Sequence, residues 1–147
     1  MKAEIRLKKV RPNAEIPTYG TEFSAGADLY ACIEDTVTIE PGETYLTPTG
    51  VAMEIPECYA GLVFARSGLA TKKGLAPANK VGVIDADYRG EIFVPLHNHS
   101  NKAAMIAPGE RIAQLMITPF LTAQFVETEE LSDTVRGTGG FGSTGSK

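Results

Sequence analysis

The chain is poor in cysteine, short of positive charge and nearly free of helical periodicity, and each shortage excludes something. The only cysteines are Cys32 and Cys58. They form no Cys-x-x-Cys pair and nothing beside them repeats a zinc-ligand spacing, so neither a disulfide framework nor a structural zinc is expected. Both read as buried free thiols in a reducing compartment. Fourteen Lys+Arg against eighteen Asp+Glu leave a net charge of −4. That balance argues against a protein coating duplex DNA or RNA, which needs a broad basic face. It does not exclude a small phosphate ligand held by a few local cations. No long apolar run occurs, and the opening MKAEIRLKKV alternates charged and apolar residues. The expectation is therefore no secretory leader, no membrane partner and a cytoplasmic location.

What is present is a period of two. A length of 147 residues with 43% hydrophobic content suits one domain with a real core. In AEIRLKKV, residues Ile5, Leu7 and, past a slip, Val10 face one way with charges between them. TVTIE stops at the turn pair Pro41-Gly42, and TYLTPTGVAMEI follows. YAGLVFAR, VGVI, EIFVPLHN, RIAQLMITP and AQFVE read as further short strands, rich in β-branched and aromatic residues. Nine prolines and fifteen glycines punctuate them, at the spacing expected of a sandwich or barrel. Only SGLATKKG, Ser67 to Gly74, reads as helix, with Ser67 as its cap and Gly74 as its end. The pattern predicts an all-β domain, a distorted jelly-roll sandwich or barrel with one short helix, spanning residues 1–135.

Residues 136–147 are a separate arm. Of the ten from Gly137 to Ser146, nine are Gly, Ser or Thr and the tenth is Phe141. Fixing such a segment costs about 1–2 kcal/mol per residue, and glycine sits at the expensive end. Nothing within it repays that, so it should stay mobile until a ligand binds beneath it. A merely solubilising tail accounts for Gly and Ser but for neither Arg136 nor Phe141.

Exposed polar clusters mark candidate chemistry. Asp85 and Asp87 flank Ala86 in VIDADYRG, directly after an apolar strand. Strand alternation puts both carboxylates on one face, whereas a turn separates them, and an Asx turn closing a hairpin is the bland alternative. A carboxylate ionised at neutral pH within reach of a water is the catalytic one. Arg66, Ser67 and Gly68 form a strand-to-helix corner, where free N–H groups at the helix start suit an anion, or an ordinary cap. Gln114 is polar among Ile112, Ala113, Leu115 and Met116 and needs a partner, structural or ligand. Asp28, after the small Ala25-Gly26-Ala27, closes a turn by default. His97 and His99 share a strand face as a weak metal pair without carboxylate or cysteine company. Lys72-Lys73 reads as a solvated helix face.

Five stretches, AGADLYA, ARSGLA, NKVGVIDADYRGEI, PGERIAQLMI and the terminal RGTGGFGSTG, in this order and spacing, resemble the five motifs of the trimeric dUTPase family. The resemblance covers essentially the whole chain. It implies a jelly-roll subunit, a homotrimer whose active sites are shared between subunits, and Mg²⁺-dependent hydrolysis of dUTP to dUMP and pyrophosphate. That reaction keeps uracil out of DNA and supplies dUMP. By the motif matches, Asp85 holds and deprotonates the water that attacks the α-phosphorus, while Asp87 has no assigned part. Asn79 and the backbone of Gly82, Val83 and Ile84 line a uracil pocket in a β-hairpin, and Tyr88 lies under the deoxyribose, leaving no room for a 2′-hydroxyl. Arg66, Ser67, Gly68 and Gln114 contact phosphate. Asp28 stands near the metal through water rather than as a direct ligand. In the arm, Arg136 with Gly140, Gly142 and Ser143 wraps the triphosphate and Phe141 stacks on the base.

Two rivals share parts of this pattern. A dCTP deaminase-like enzyme has a related fold but ends differently, and the intact RGTGGFGSTG favours plain hydrolysis. A non-catalytic nucleotide-binding trimer has no need of a water-directing carboxylate such as Asp85.

Overall fold

The computed structural model describes residues 3–141. In chain order the elements are β1 (Arg6–Lys9), β2 (Thr18–Tyr19), β3 (Ala27–Tyr30), β4 (Val37–Ile39), β5 (Thr44–Pro48), β6 (Val51–Glu54), β7 (Tyr59–Phe64), α1 (Ser67–Lys73), β8 (Leu75–Pro77), β9 (Gly82–Ile84), β10 (Phe93–Asn98), β11 (Ala104–Ile106) and β12 (Arg111–Pro119). Short strands with one short helix are the expected all-β composition, and the fold is jelly-roll-like.

The largest sheet runs in the order β2-β3-β12-β7-β9, and β5-β10-β8 forms a second; β1-β6 and β11-β4 are two-stranded ribbons. Every pairing is antiparallel. Alternation sends one set of side chains inward. Leu29, Ile39, Val51, Leu75, Val94, Leu96, Ile106, Ile112 and Leu115 meet in one core. Burying each such side chain contributes about 1.5–3 kcal/mol. Asn98 is buried with them, and it is fully partnered. Its amide donates to Ile39 O and Lys102 O, each at 2.8 Å, while its carbonyl accepts from the backbone and hydroxyl of Ser100.

Several expectations are corrected. TYLTPTGVAMEI breaks into β5 and β6 around Gly50, whose φ of +71° lets the chain turn. Ile5 and Leu7 pack against the core but Val10 is 41% exposed, because β1 ends at Lys9. AQFVE is not a strand. Residues 120–135 form no regular element and are exposed, with Phe125 at 94%; alternation makes a strand only where a neighbour offers hydrogen bonds, and the described residues offer none there. Cys32 is half-buried and Cys58 exposed, so the two thiols are free but not buried.

The helix starts differently from its expected cap. Arg66, extended at φ −91° and ψ 129°, holds the N-cap position without a side-chain cap bond, and Ser67 is the first helical residue. The Arg66 side chain is engaged elsewhere, as described below. Leu69 buries the helix against the core, and Gly74 ends it in the left-handed conformation at φ +67°. Among the described residues no helix is long and apolar enough to cross a membrane.

Candidate active site

Two surface pockets collect most of the candidate residues, and they share no lining residue. The first, about 320 Å³, lies along β9 and is lined by Asn79, Gly82, Val83, Ile84, Asp85 and Tyr88, with Leu46 and Phe93 opposite. β9 pairs with β7 on one side only, Gly82 facing Val63 and Ile84 facing Gly61. It is the sheet edge. An edge strand keeps one row of main-chain N–H and C=O groups unpaired, and here that row borders the pocket. The expected hairpin is not formed: β8 pairs with β10 and β9 with β7, so the turn around Asn79 sends the two strands into different sheets. The turn is closed by Val81 N to Asn79 O at 2.7 Å, with Lys80 at φ +65°.

Asp85 follows β9 directly and opens a turn closed by Tyr88 N to Asp85 O at 3.2 Å. Strand alternation therefore does not apply to the Asp85–Asp87 pair. Asp87 lines a different depression with Arg6, Glu54 and Arg89. The Tyr88 ring folds back, its hydroxyl donating to Glu91 O at 2.8 Å. A Cβ on Gly90 would lie 2.4 Å from that hydroxyl oxygen, so only glycine admits the ring there.

The second pocket, about 380 Å³, is polar and lies at the end of β3, β12 and β7. Register explains its lining. Gln114 sits opposite Asp28 on one side and Phe64 on the other. Directly opposed residues share a sheet face, and Arg66 lies two positions beyond Phe64. Arg66 Nε donates to Asp28 Oδ1 at 2.7 Å, and Arg111 lies 3.4 Å from Oδ2. A register shift between Arg111 and Ala113 re-aims Arg111 toward Asp28. Asp28 thus lies within a strand and closes no turn. Gln114 Nε2 donates to Ala65 O at 2.8 Å, and its Oε1 occupies space that a Cβ on Gly26 would enter at 2.5 Å. Ser67 and Gly68 line the same pocket, their N–H groups at the helix start where no intrahelical acceptor exists. A Cβ on Gly68 would meet nothing within 4 Å, so the chain's own packing does not call for glycine there.

The arm lies apart from both pockets. Arg136 Nε donates to Gly139 O at 2.7 Å, and Phe141 is fully exposed. Gly140 borders the Arg136 side chain. Gly142 and Ser143 lie outside the described residues.

The remaining candidates fall elsewhere. His97 and His99 stack edge to face with centroids 4.5 Å apart. His97 Nδ1 bonds Thr44 Oγ1 at 2.8 Å. Desolvation, then Lys80 and His97, hold the His99 imidazole below its ordinary pKa. Among the described residues no three His, Cys, Asp or Glu side chains stand together as a metal-ligand set. Lys72 is exposed as expected, but Lys73 is not merely solvated: it donates to Met105 O at 2.7 Å and pairs with Glu110. The sequence reading missed Gly26 and Arg111 in the polar pocket, and Glu91 and Phe93 in the other. Arg111 was findable as the cation three residues before Gln114; the others depend on long-range packing.

The dUTPase family model matches residues 12–145. The deoxyuridine 5'-triphosphate nucleotidohydrolase of Hydrogenobaculum sp. (strain Y04AAS1) is 50% identical over 144 residues, covering 98% of this chain and 99% of that protein. The structure of the Staphylococcus bacteriophage 80alpha dUTPase with dUPNHPP is 31% identical and superposes with a TM-score of 0.89, over 98% of this chain and 99% of that one. A mutant dUTPase from phage phi11 of S. aureus, described with a coordinated structural Mg(II) ion, is 27% identical with a TM-score of 0.77, over 87% and 98%. With the five motif stretches distributed over one edge strand, one polar pocket and one terminal arm, the chain belongs to the dUTPase family.

Proposed function

We propose that this chain hydrolyses dUTP to dUMP and pyrophosphate through a water held by Asp85. The observation that carries the reading is an exposed carboxylate at the end of an edge strand paired on one side only, on the rim of a pocket walled by Val83, Ile84 and Phe93. The outer main-chain groups of Gly82 to Ile84, on the edge away from β7, and the Asn79 amide read the uracil edge, and cytosine's amino group leaves buried groups unmatched. Tyr88 closes the sugar side and excludes a 2′-hydroxyl by shape. The Asp85 carboxylate takes a proton from the water, whose oxygen bonds the α-phosphorus. The bond from that phosphorus to its bridging oxygen breaks, and pyrophosphate leaves.

Arg66, Ser67, Gly68 and Gln114 receive the phosphates, joined by Arg111. The open space in front of Gly68 supports close approach by an anion. Mg²⁺ fits this pocket in one way. Asp28 is the one carboxylate lining it, too few for a direct ligand set. Asp28 would therefore hold such an ion through water rather than as a direct ligand. An ion held there would supply neutralisation of phosphate charge.

The two pockets share no residue, which supports a site assembled from different copies in a homotrimer. Leu121, Phe125, Val126 and Leu131, exposed in the isolated chain, support the same reading, because apolar surface of this kind calls for a partner. The arm then completes the site. Arg136, Gly140, Gly142 and Ser143 take phosphate and Phe141 stacks on the base, worth about 1–3 kcal/mol. Such closure excludes bulk water and reverses once pyrophosphate leaves.

Incubation with dUTP, dCTP, UTP and dTTP plus Mg²⁺, assaying pyrophosphate and ammonia, tests the reading. Pyrophosphate from dUTP alone is expected. Ammonia from dCTP identifies a deaminase, and neither product leaves a binding module. Asp85→Asn should bind a slow-reacting dUTP analogue normally while losing about 10²–10⁴-fold in turnover; normal turnover removes Asp85 from its role.

A further inference from the structure

We propose that the Arg11–Glu91 ion pair is a positioning device for the nucleoside pocket, fixing the Tyr88 ring that excludes a 2′-hydroxyl. The proposal rests on the reading of Tyr88 as the sugar gate. Arg11 lies outside all five motif stretches, and its partner is 80 residues away.

Glu91 serves two parts of the fold at once. Its carboxylate Oε1 accepts from Arg11 Nε at 2.6 Å and from the Gly50 backbone N–H at 2.9 Å. Its side chain is only 13% exposed. Its backbone oxygen accepts the Tyr88 hydroxyl at 2.8 Å. The segment from Gly90 to Glu91 is thus the seat of the ring, and the carboxylate sets where that seat lies. Ile92 N bonds Val51 O at 2.9 Å and Thr49 Oγ1 donates to Ile92 O at 2.6 Å, so the next residue is tied to the same loop.

Arg11 also acts on the pocket wall. Its guanidinium lies 5.8 Å from the centroid of Phe93, a distance at which a cation is attracted to the ring face. One side chain therefore steadies the seat of Tyr88 through Glu91 and the opposing ring directly. Gly90 completes the device, because any Cβ there would displace the Tyr88 hydroxyl. Exclusion by shape needs such support: a ring free to shift by an ångström makes room for an extra hydroxyl.

The test is the ratio of kcat/KM for dUTP to that for UTP, in wild type, Arg11→Ala, Arg11→Lys and Gly90→Ala, with a thermal melt of each. Arg11→Ala should lower the ratio about tenfold through a higher KM for dUTP and a gain on UTP, with kcat for dUTP within about twofold. Arg11→Lys should restore much of the ratio, since an ammonium still reaches the Glu91 carboxylate. Gly90→Ala should lower the ratio from the other side of the ring. A folded Arg11→Ala with a wild-type ratio overturns the proposal. So does a parallel loss on dUTP and UTP, which marks the pair as structural only. Should Arg11→Ala fail to fold, Gly90→Ala and Arg11→Lys decide alone: wild-type ratios in both overturn it. A wild type that hydrolyses dUTP and UTP equally sinks the sugar-gate reading itself, a result distinct from either.

Discussion

Arg66 and Asp28, separated by 38 residues, meet at 2.7 Å in the polar pocket, with Arg111 on the other carboxylate oxygen. Asp28 thus holds in place a cation that lines the polar pocket. It lies among partly exposed groups, so the pair adds modest stability in itself. Its value is geometric, since a long arginine side chain is otherwise free to rotate.

Asp28→Asn should therefore act on the triphosphate and not on the nucleoside. We expect kcat/KM for dUTP to fall at least about tenfold, since the charge-assisted bond to Arg66 is weakened and the carboxylate proposed to face the metal is lost. Binding of deoxyuridine, followed by calorimetry, should stay unchanged because the two pockets share no lining residue. Equal weakening of both ligands contradicts this division.

Ending the chain at Val135 should abolish most turnover and leave the fold intact. Among the described residues, those from Arg136 to Phe141 hydrogen-bond only with one another and with Thr134. The melting temperature should shift by less than about 2 °C, since about 1 kcal/mol moves a domain of this size by several degrees. Full activity in the truncated chain refutes the account of the arm.

Asn98→Leu should destabilise the fold without touching specificity. It takes the acceptor from the Ser100 backbone N–H and the amide donor from the Ile39 carbonyl, while Lys102 O keeps the Ser100 hydroxyl. Each group left unsatisfied in the interior costs about 1–3 kcal/mol. Urea unfolding should show a loss of at least about 2 kcal/mol, with the ratio between dUTP and UTP unaltered.

Gly74→Ala should also weaken the fold, for two reasons that add. The residue sits at φ +67°, and its Cβ would lie 2.6 Å from that of Ser100. The left-handed conformation alone costs an alanine about 1 kcal/mol, and the clash more. Gly42, at φ +81° with nothing within 4 Å, is the control: alanine there should cost only the conformational part.

Much of the strand layout was legible. RIAQLMITP became β12 and EIFVPLHN became β10 because alternation records which face meets the core. The motif strings were legible too, since Asp85, Arg66 and Gln114 each sit where a polar residue interrupts an apolar pattern. Illegible were the partners. AQFVE alternates like a strand yet finds no neighbour among the described residues. Ser67 has the chemistry of a cap, but Arg66 takes the capping position. The turn at Asn79 resembles a hairpin, although its strands enter different sheets.

The one-dimensional pattern, then, decided which residues face inward, where the chain turns, and that a glycine-rich arm carries one arginine and one ring. These follow from a period of two and from backbone freedom, both local properties. Tertiary structure alone decided that Arg66 meets Asp28, that Arg11 meets Glu91, and that Asp85 lies in a different pocket from Arg66, Ser67 and Gln114. Those meetings depend on sheet register and strand order. A two-residue period determines the face a side chain takes but not the neighbour it finds there.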